Sequence, residues 1–136
     1  MIENISNYDR DQEYQINGYV GPSYNFWESL KMGGTGSQKF VINSAHEIFE
    51  PFLKHIRGTR YCNIELRPKG IGLRFRFRLE AIGWFVPYKQ LEFQHDQKQL
   101  SLRDKTSGFT MDLIPAHRSP VKTQFINKMR AFAGLA

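Results

Sequence analysis

Residues 73–80 read Leu-Arg-Phe-Arg-Phe-Arg-Leu-Glu, an unbroken alternation of apolar and charged side chains. No other stretch of the chain restricts its fold as tightly. Successive side chains of a strand point to opposite faces. A period of two therefore places Leu73, Phe75, Phe77 and Leu79 on one face and Arg74, Arg76 and Arg78 on the other. A helix would scatter both sets around its circumference. The apolar row is expected to face a core. The guanidinium row either keeps an outer sheet face in water or holds something negatively charged.

The preceding residues supply a partner strand. In residues 60–67, Tyr61, Asn63, Glu65 and Arg67 alternate with Cys62, Ile64 and Leu66. Pro68-Lys69-Gly70 between the two runs is a turn, because proline presets φ and glycine accepts a positive one. Residues 80–94 predict a long extended stretch broken at Gly83 and Pro87; a proline there implies an edge or a bulge. Two more strands follow around 99–104 and 109–114. Upstream, residues 38–43 read as a short strand. Ser44 and Glu47 have the spacing of a capping box. Ala45, Ile48, Phe49, Phe52 and Ile56 then share one helical face, so a helix is predicted over 44–57, kinked or delayed by Pro51. At the other end Val121, Phe125, Ile126, Met129 and Phe132 predict an amphipathic helix, with Ser119 and Pro120 as its first residues and Gly134 as its stop.

Short links between successive strands favour hairpins over parallel crossovers. The expected fold class is α+β: a curved antiparallel sheet with a C-terminal capping helix and an additional N-terminal helix, forming one domain over residues 38–136. Residues 1–37 read as an arm. They are polar and glycine-containing, yet they carry Tyr8, Tyr14, Tyr19, Tyr24, Phe26 and Trp27, and a disordered tail is poor in aromatics. The arm is therefore expected to dock on its own domain or on another copy, above all around residues 24–32. Trp84 and Phe85 are adjacent and point to opposite faces. One belongs to the core, and the other is a candidate anchor for self-association.

At 136 residues the chain is long enough to bury a core. Its single cysteine, Cys62, excludes an intrachain disulfide and suits a small buried side chain in a reducing compartment. No apolar run is long enough to span a bilayer, and the N-terminus lacks the basic and apolar regions of a signal peptide. A cytoplasmic location is the expectation. The net charge of +6 is uneven. Residues 51–78 hold eight basic side chains against one acid, Glu65, whereas residues 1–50 hold three against seven. A surplus concentrated in one segment marks a patch.

Several stretches resemble a known family. Residues 83–113, with Val86-Pro87-Tyr88 before a strand and two further hairpin strands, and the helix around 125–132, are similar to the second half of bacterial pleckstrin-homology-like (PH-like) domains. Residues 64–77 resemble an earlier hairpin of such domains. The resemblance covers roughly residues 58–136 and implies a PH-like barrel. Phosphoinositide-binding members of the wider superfamily use a lysine and then a basic pair separated by one residue. Lys69, Arg74 and Arg76 look like that arrangement.

The function expected from these readings is a non-catalytic binding or scaffolding module. A basic hairpin would serve an anionic partner, either an acidic protein surface or a lipid headgroup. Its candidate residues are Lys69, Arg74, Arg76 and Arg78, supported by Arg60 and Arg67. Like charges side by side across a hairpin repel, and an anion would relieve that. One alternative is a homo-oligomeric assembly protein in which the arm's Asp9, Asp11 and Glu13 pair with the arginines. Another is a weak nucleic-acid binder, which requires aromatic rings exposed beside the arginines, whereas Phe75 and Phe77 are expected inward. No catalytic group, cofactor or metal is anticipated. The glycine run at 33–36 leads into a strand, unlike a phosphate loop. His46, His55, His95 and His117 lack metal-site spacing.

Overall fold

The computed structural model describes residues 1–134 and carries one eight-stranded antiparallel sheet. Its strands are β1 (Ile2–Asn4), β2 (Phe40–Ala45), β3 (Tyr61–Leu66), β4 (Gly70–Phe77), β5 (Glu80–Pro87), β6 (Leu91–His95), β7 (Leu100–Asp104) and β8 (Thr110–Pro115). They lie in the order β1-β5-β4-β3-β2-β8-β7-β6 and do not close into a ring. The helices are α1 (Arg10–Val20), α2 (Phe26–Lys31), α3 (Glu50–Leu53) and α4 (Thr123–Phe132).

The period-two reading of β4 holds through Phe77. Leu73 and Phe75 are buried, Phe77 is half-buried, and Arg74 and Arg76 are exposed. It fails at Leu79, which is 93% exposed. Phe77 pairs with Glu80, so Arg78 and Leu79 are the two central residues of a hairpin turn. Such turns take a positive φ at the first central residue, and Arg78 has φ 54°.

One core lies on the inner face. It joins Leu73, Phe75 and Trp84 to Leu100, Leu102 and Met111, with Phe125, Ile126 and Met129 of α4 packed on it. Phe49 lies 5.2 Å from the Trp84 ring and 6.4 Å from Phe109 in the β7–β8 turn. Four strand spacings of ~4.8 Å separate β5 from β8. One ring can touch both only if the sheet curves strongly, and the β2–β8 pairing carries a register irregularity between Ile42 and Ser44.

Three elements differ from the expectation. Ser44 lies in β2 and donates to Asp112 Oδ2 at 2.7 Å instead of capping a helix. His46 takes the cap, its Nδ1 accepting from the Ile48 N–H at 3.0 Å, and only a short 3-10 turn and α3, with Pro51 in its first turn, follow. The long extended stretch is two strands, broken by a 3-10 turn at Tyr88–Gln90. Helix α4 begins at Thr123, with Lys122 as its cap.

The arm docks on its own domain through residues 1–20 and again through residues 33–37, where the Thr35 carbonyl accepts from the Leu66 N–H at 2.8 Å and the Gly33 carbonyl from Lys128 Nζ at 3.1 Å. Strand β1 extends the sheet beside β5, and α1 lies across the outer face, where Ile5, Ile16, Val20 and Phe85 form a second small core. Trp84 therefore fills the main core and Phe85 the second, so neither is an exposed anchor. Phe85 has a glycine floor. A Cβ built on Gly83 would lie 2.6 Å from its ring, and one on Gly72 would lie 2.9 Å away. Within residues 24–32, where docking was expected, Tyr24 lies against Phe132 of α4 with ring centroids 6.1 Å apart, whereas helix α2 leaves Phe26, Trp27 and Leu30 exposed.

Candidate functional site

The residues singled out in the sequence separate into two groups. Arg74 and Arg76 stand on the outer face of β4, and Arg78 stands at the tip of the β4–β5 hairpin; all three are exposed. None forms an ion pair with a described residue, and the one ion pair among the described residues is Arg67–Glu65. Arg78 meets only His55, with Nη2 3.2 Å from Nδ1.

Arg67, Lys69 and Arg60 lie elsewhere. Arg67 is 6% exposed and pinned under α1. Its Nε donates to Glu65 at 2.7 Å, its Nη1 donates to Asn17 Oδ1 at 3.2 Å and the Gly21 carbonyl at 3.1 Å, and its guanidinium covers the Phe85 ring at 5.6 Å. Its Nε and Nη1 donors are committed to the fold. Lys69 sits in the β3–β4 turn, five residues from Arg74, or ~17 Å along a strand rising ~3.3 Å per residue. That separation keeps Lys69 apart from the Arg74–Arg76 pair. Arg60 donates to the Asn43 carbonyl at 3.2 Å. The like-charge repulsion expected across the hairpin does not arise. The partners of Arg74 are Asn63 and Gly83, and that of Arg76 on β5 is Ala81, so no like charge stands directly across from either.

The fold adds groups the sequence did not assign to the site. The segment after α3 brings Lys54, His55 and Arg57 against Arg76 and Arg78 around a depression of about 580 Å³. Phe77 stacks on His55 at 6.3 Å and supports this contact. A second, larger hollow of about 690 Å³ lies on the outer face of β3 and β4, lined among others by Lys39, Thr59, Tyr61, Asn63, Arg74 and Arg76. Tyr61 is 44% exposed there, with the Lys39 ammonium 4.8 Å above its ring. The outward parity of Tyr61 was available from the 60–67 alternation. The arrival of Lys39 was not, because it depends on β2 pairing with β3.

The remaining chemistry-bearing groups have structural roles. Burial pushes the Cys62 thiol up to about 12. Asp104 is buried and accepts from the Thr106 backbone N–H at 2.9 Å, shaping a turn. In the arm, Asp9 caps α1 through the Gln12 N–H at 2.8 Å, and Asp11 and Glu13 occupy its first turn, where carboxylates favour the helix dipole. None of the three pairs with the arginines. No cluster of metal-ligating side chains occurs among the described residues, and no helix among them is long and apolar enough to cross a membrane. Compared with family models, curated proteins and solved structures, the chain gives no match.

Proposed function

We propose that the protein is a non-catalytic binding module whose cationic β4 face and hairpin tip take an anionic partner. One observation carries this reading. Arg76 and Arg78 converge with Lys54 and Arg57, Arg74 stands two residues along the same face of β4, and none of the three arginines forms an ion pair with a carboxylate among the described residues. Clustered cations raise the local potential and attract anions from a distance. Guanidinium groups then hold carboxylate or phosphate oxygens through paired, charge-assisted hydrogen bonds. An acidic protein surface and a lipid headgroup both present such oxygens. The PH-like reading is supported in outline. Strands β2–β5 form one meander and β6–β8 another, the two join through β2 and β8, and a C-terminal helix packs on the core.

The test is titration of the whole chain with poly-glutamate, with phosphatidylserine vesicles and with a short oligonucleotide, at two salt concentrations. At least one should bind, more weakly at the higher salt. The Arg74→Ala/Arg76→Ala double variant should lose about tenfold or more, at ~1 kcal/mol per cation near an anionic surface. Absence of binding to all three, or binding unchanged in the double variant, would overturn the proposal.

A further inference from the structure

The hollow beside Tyr61 combines features that a purely solvated sheet face does not need. An aromatic residue that is 44% exposed, Tyr61, lines it. Three cations border it: Lys39, Arg74 and Arg76. The side chains of Thr59 and Asn63 also line it, and neither makes a hydrogen bond to any described residue. Arg74 and Arg76 are two residues apart on one strand, which sets their backbones ~6.6 Å apart. That is comparable to the step between neighbouring phosphates of an extended nucleic-acid strand. The cationic row continues past the hollow to Arg78 and Arg57.

We propose that this face binds single-stranded nucleic acid, with a base stacked on Tyr61 and consecutive phosphates held by Lys39, Arg74 and Arg76. The proposal rests on the anion-binding reading above and names its ligand class. A ring set beside a track of cations is how sequence-tolerant single-strand binding works, since every base offers a flat face. Phe75 is buried and Phe77 half-buried, so Tyr61 on the neighbouring strand supplies the exposed ring that such binding requires. Lys39 covers one face of Tyr61 by a flexible stem. Drawing its ammonium onto a phosphate frees that face for the base. Duplex would bind less well, because its bases are already stacked. Asn63 and Thr59 are placed to meet a base edge.

The experiment is fluorescence anisotropy with a labelled short oligothymidylate across a salt series, using the intact chain. Adenosine monophosphate, duplex DNA and phosphatidylserine vesicles serve as competitors. Single strand should bind, Tyr61→Ala should weaken it roughly tenfold without changing the salt slope, and Tyr61→Phe should retain it. Arg74→Ala should reduce the salt slope by about 0.7, the single-strand value for one phosphate contact. Thermal melts of each variant separate lost binding from lost folding. If vesicles or poly-glutamate bind and the oligonucleotide does not, this proposal falls and the anion-binding reading stands. If no anion binds, both fall. A folded Tyr61→Ala variant with full affinity, or a mononucleotide that competes as well as the strand, also overturns it.

Discussion

Replacing Phe85 with alanine should release the N-terminal arm while leaving the main core folded. Phe85 is the centre of a four-residue cluster, seated on Gly72 and Gly83 and roofed by Ile5, Ile16, Val20 and the Arg67 guanidinium. Truncating a buried phenylalanine costs ~3–5 kcal/mol, less where neighbours collapse into the gap. Helix α1 can settle partly onto the sheet, which favours the lower figure of ~3 kcal/mol. That energy falls on the arm, because Phe85 belongs to the second cluster and not to the one holding Trp84 and α4. At 1.4 kcal/mol per decade, ~3 kcal/mol is roughly a hundredfold in the opening equilibrium. Native-state hydrogen exchange is the assay. Amides of residues 13–20 should exchange about a hundred times faster, and those of β7 and β8 should keep their protection. Gly83→Ala approaches the same seat from below and should act in the same direction, since its Cβ would meet the ring at 2.6 Å. Unchanged exchange in α1, or an equal loss across all eight strands, would refute the idea of a separately held arm.

Two further outcomes follow from particular residues. The buried Cys62 thiol, raised from its usual 9.0 to about 12, should resist iodoacetamide at pH 8 until the chain is unfolded; fast native labelling would contradict its placement. Between those values the unfolded chain has lost a proton that the folded chain keeps, so stability should fall as pH rises from 9 to 12, by up to ~1.4 kcal/mol per unit. Burial of Tyr88 also raises its phenol, adding to the fall above pH 10, and urea unfolding of Cys62→Ala against the parent isolates the thiol's part. Arg78→Gly should stabilise the fold by ~0.5–1 kcal/mol, read as a higher urea midpoint, because glycine accepts the φ of 54° that arginine adopts at a cost. The same variant should bind anions more weakly. A lower midpoint would show that Arg78 is not strained.

Local patterning revealed much of this architecture. The alternations at 61–66 and 70–77 are strands because each buries one face, and burial writes a period of two into the sequence. Errors arose where a short-range signal competed with a partner distant in the chain. Ser44 has the spacing of a helix cap, but pairing with β8 holds it in a strand. Leu79 continues the apolar rhythm, yet the chain reverses there so that Phe77 can pair with Glu80. Arg67 reads as one more surface cation. Only the position of α1, fixed by contacts some fifty residues away, shows that its guanidinium is buried. The site divides in the same way. Arg74 and Arg76 follow from the rhythm of one strand, whereas Lys39, Lys54 and Arg57 join them through pairing and loop closure that no local pattern records.

The alternation along β4 has an evolutionary consequence. Phe75 answers to the core, while Arg74 and Arg76, one peptide bond away on either side, answer only to what arrives from solvent. Substitutions at those two positions therefore alter the charge of the sheet face at little cost to the core, so the surface of this chain is free to diverge while its fold is kept.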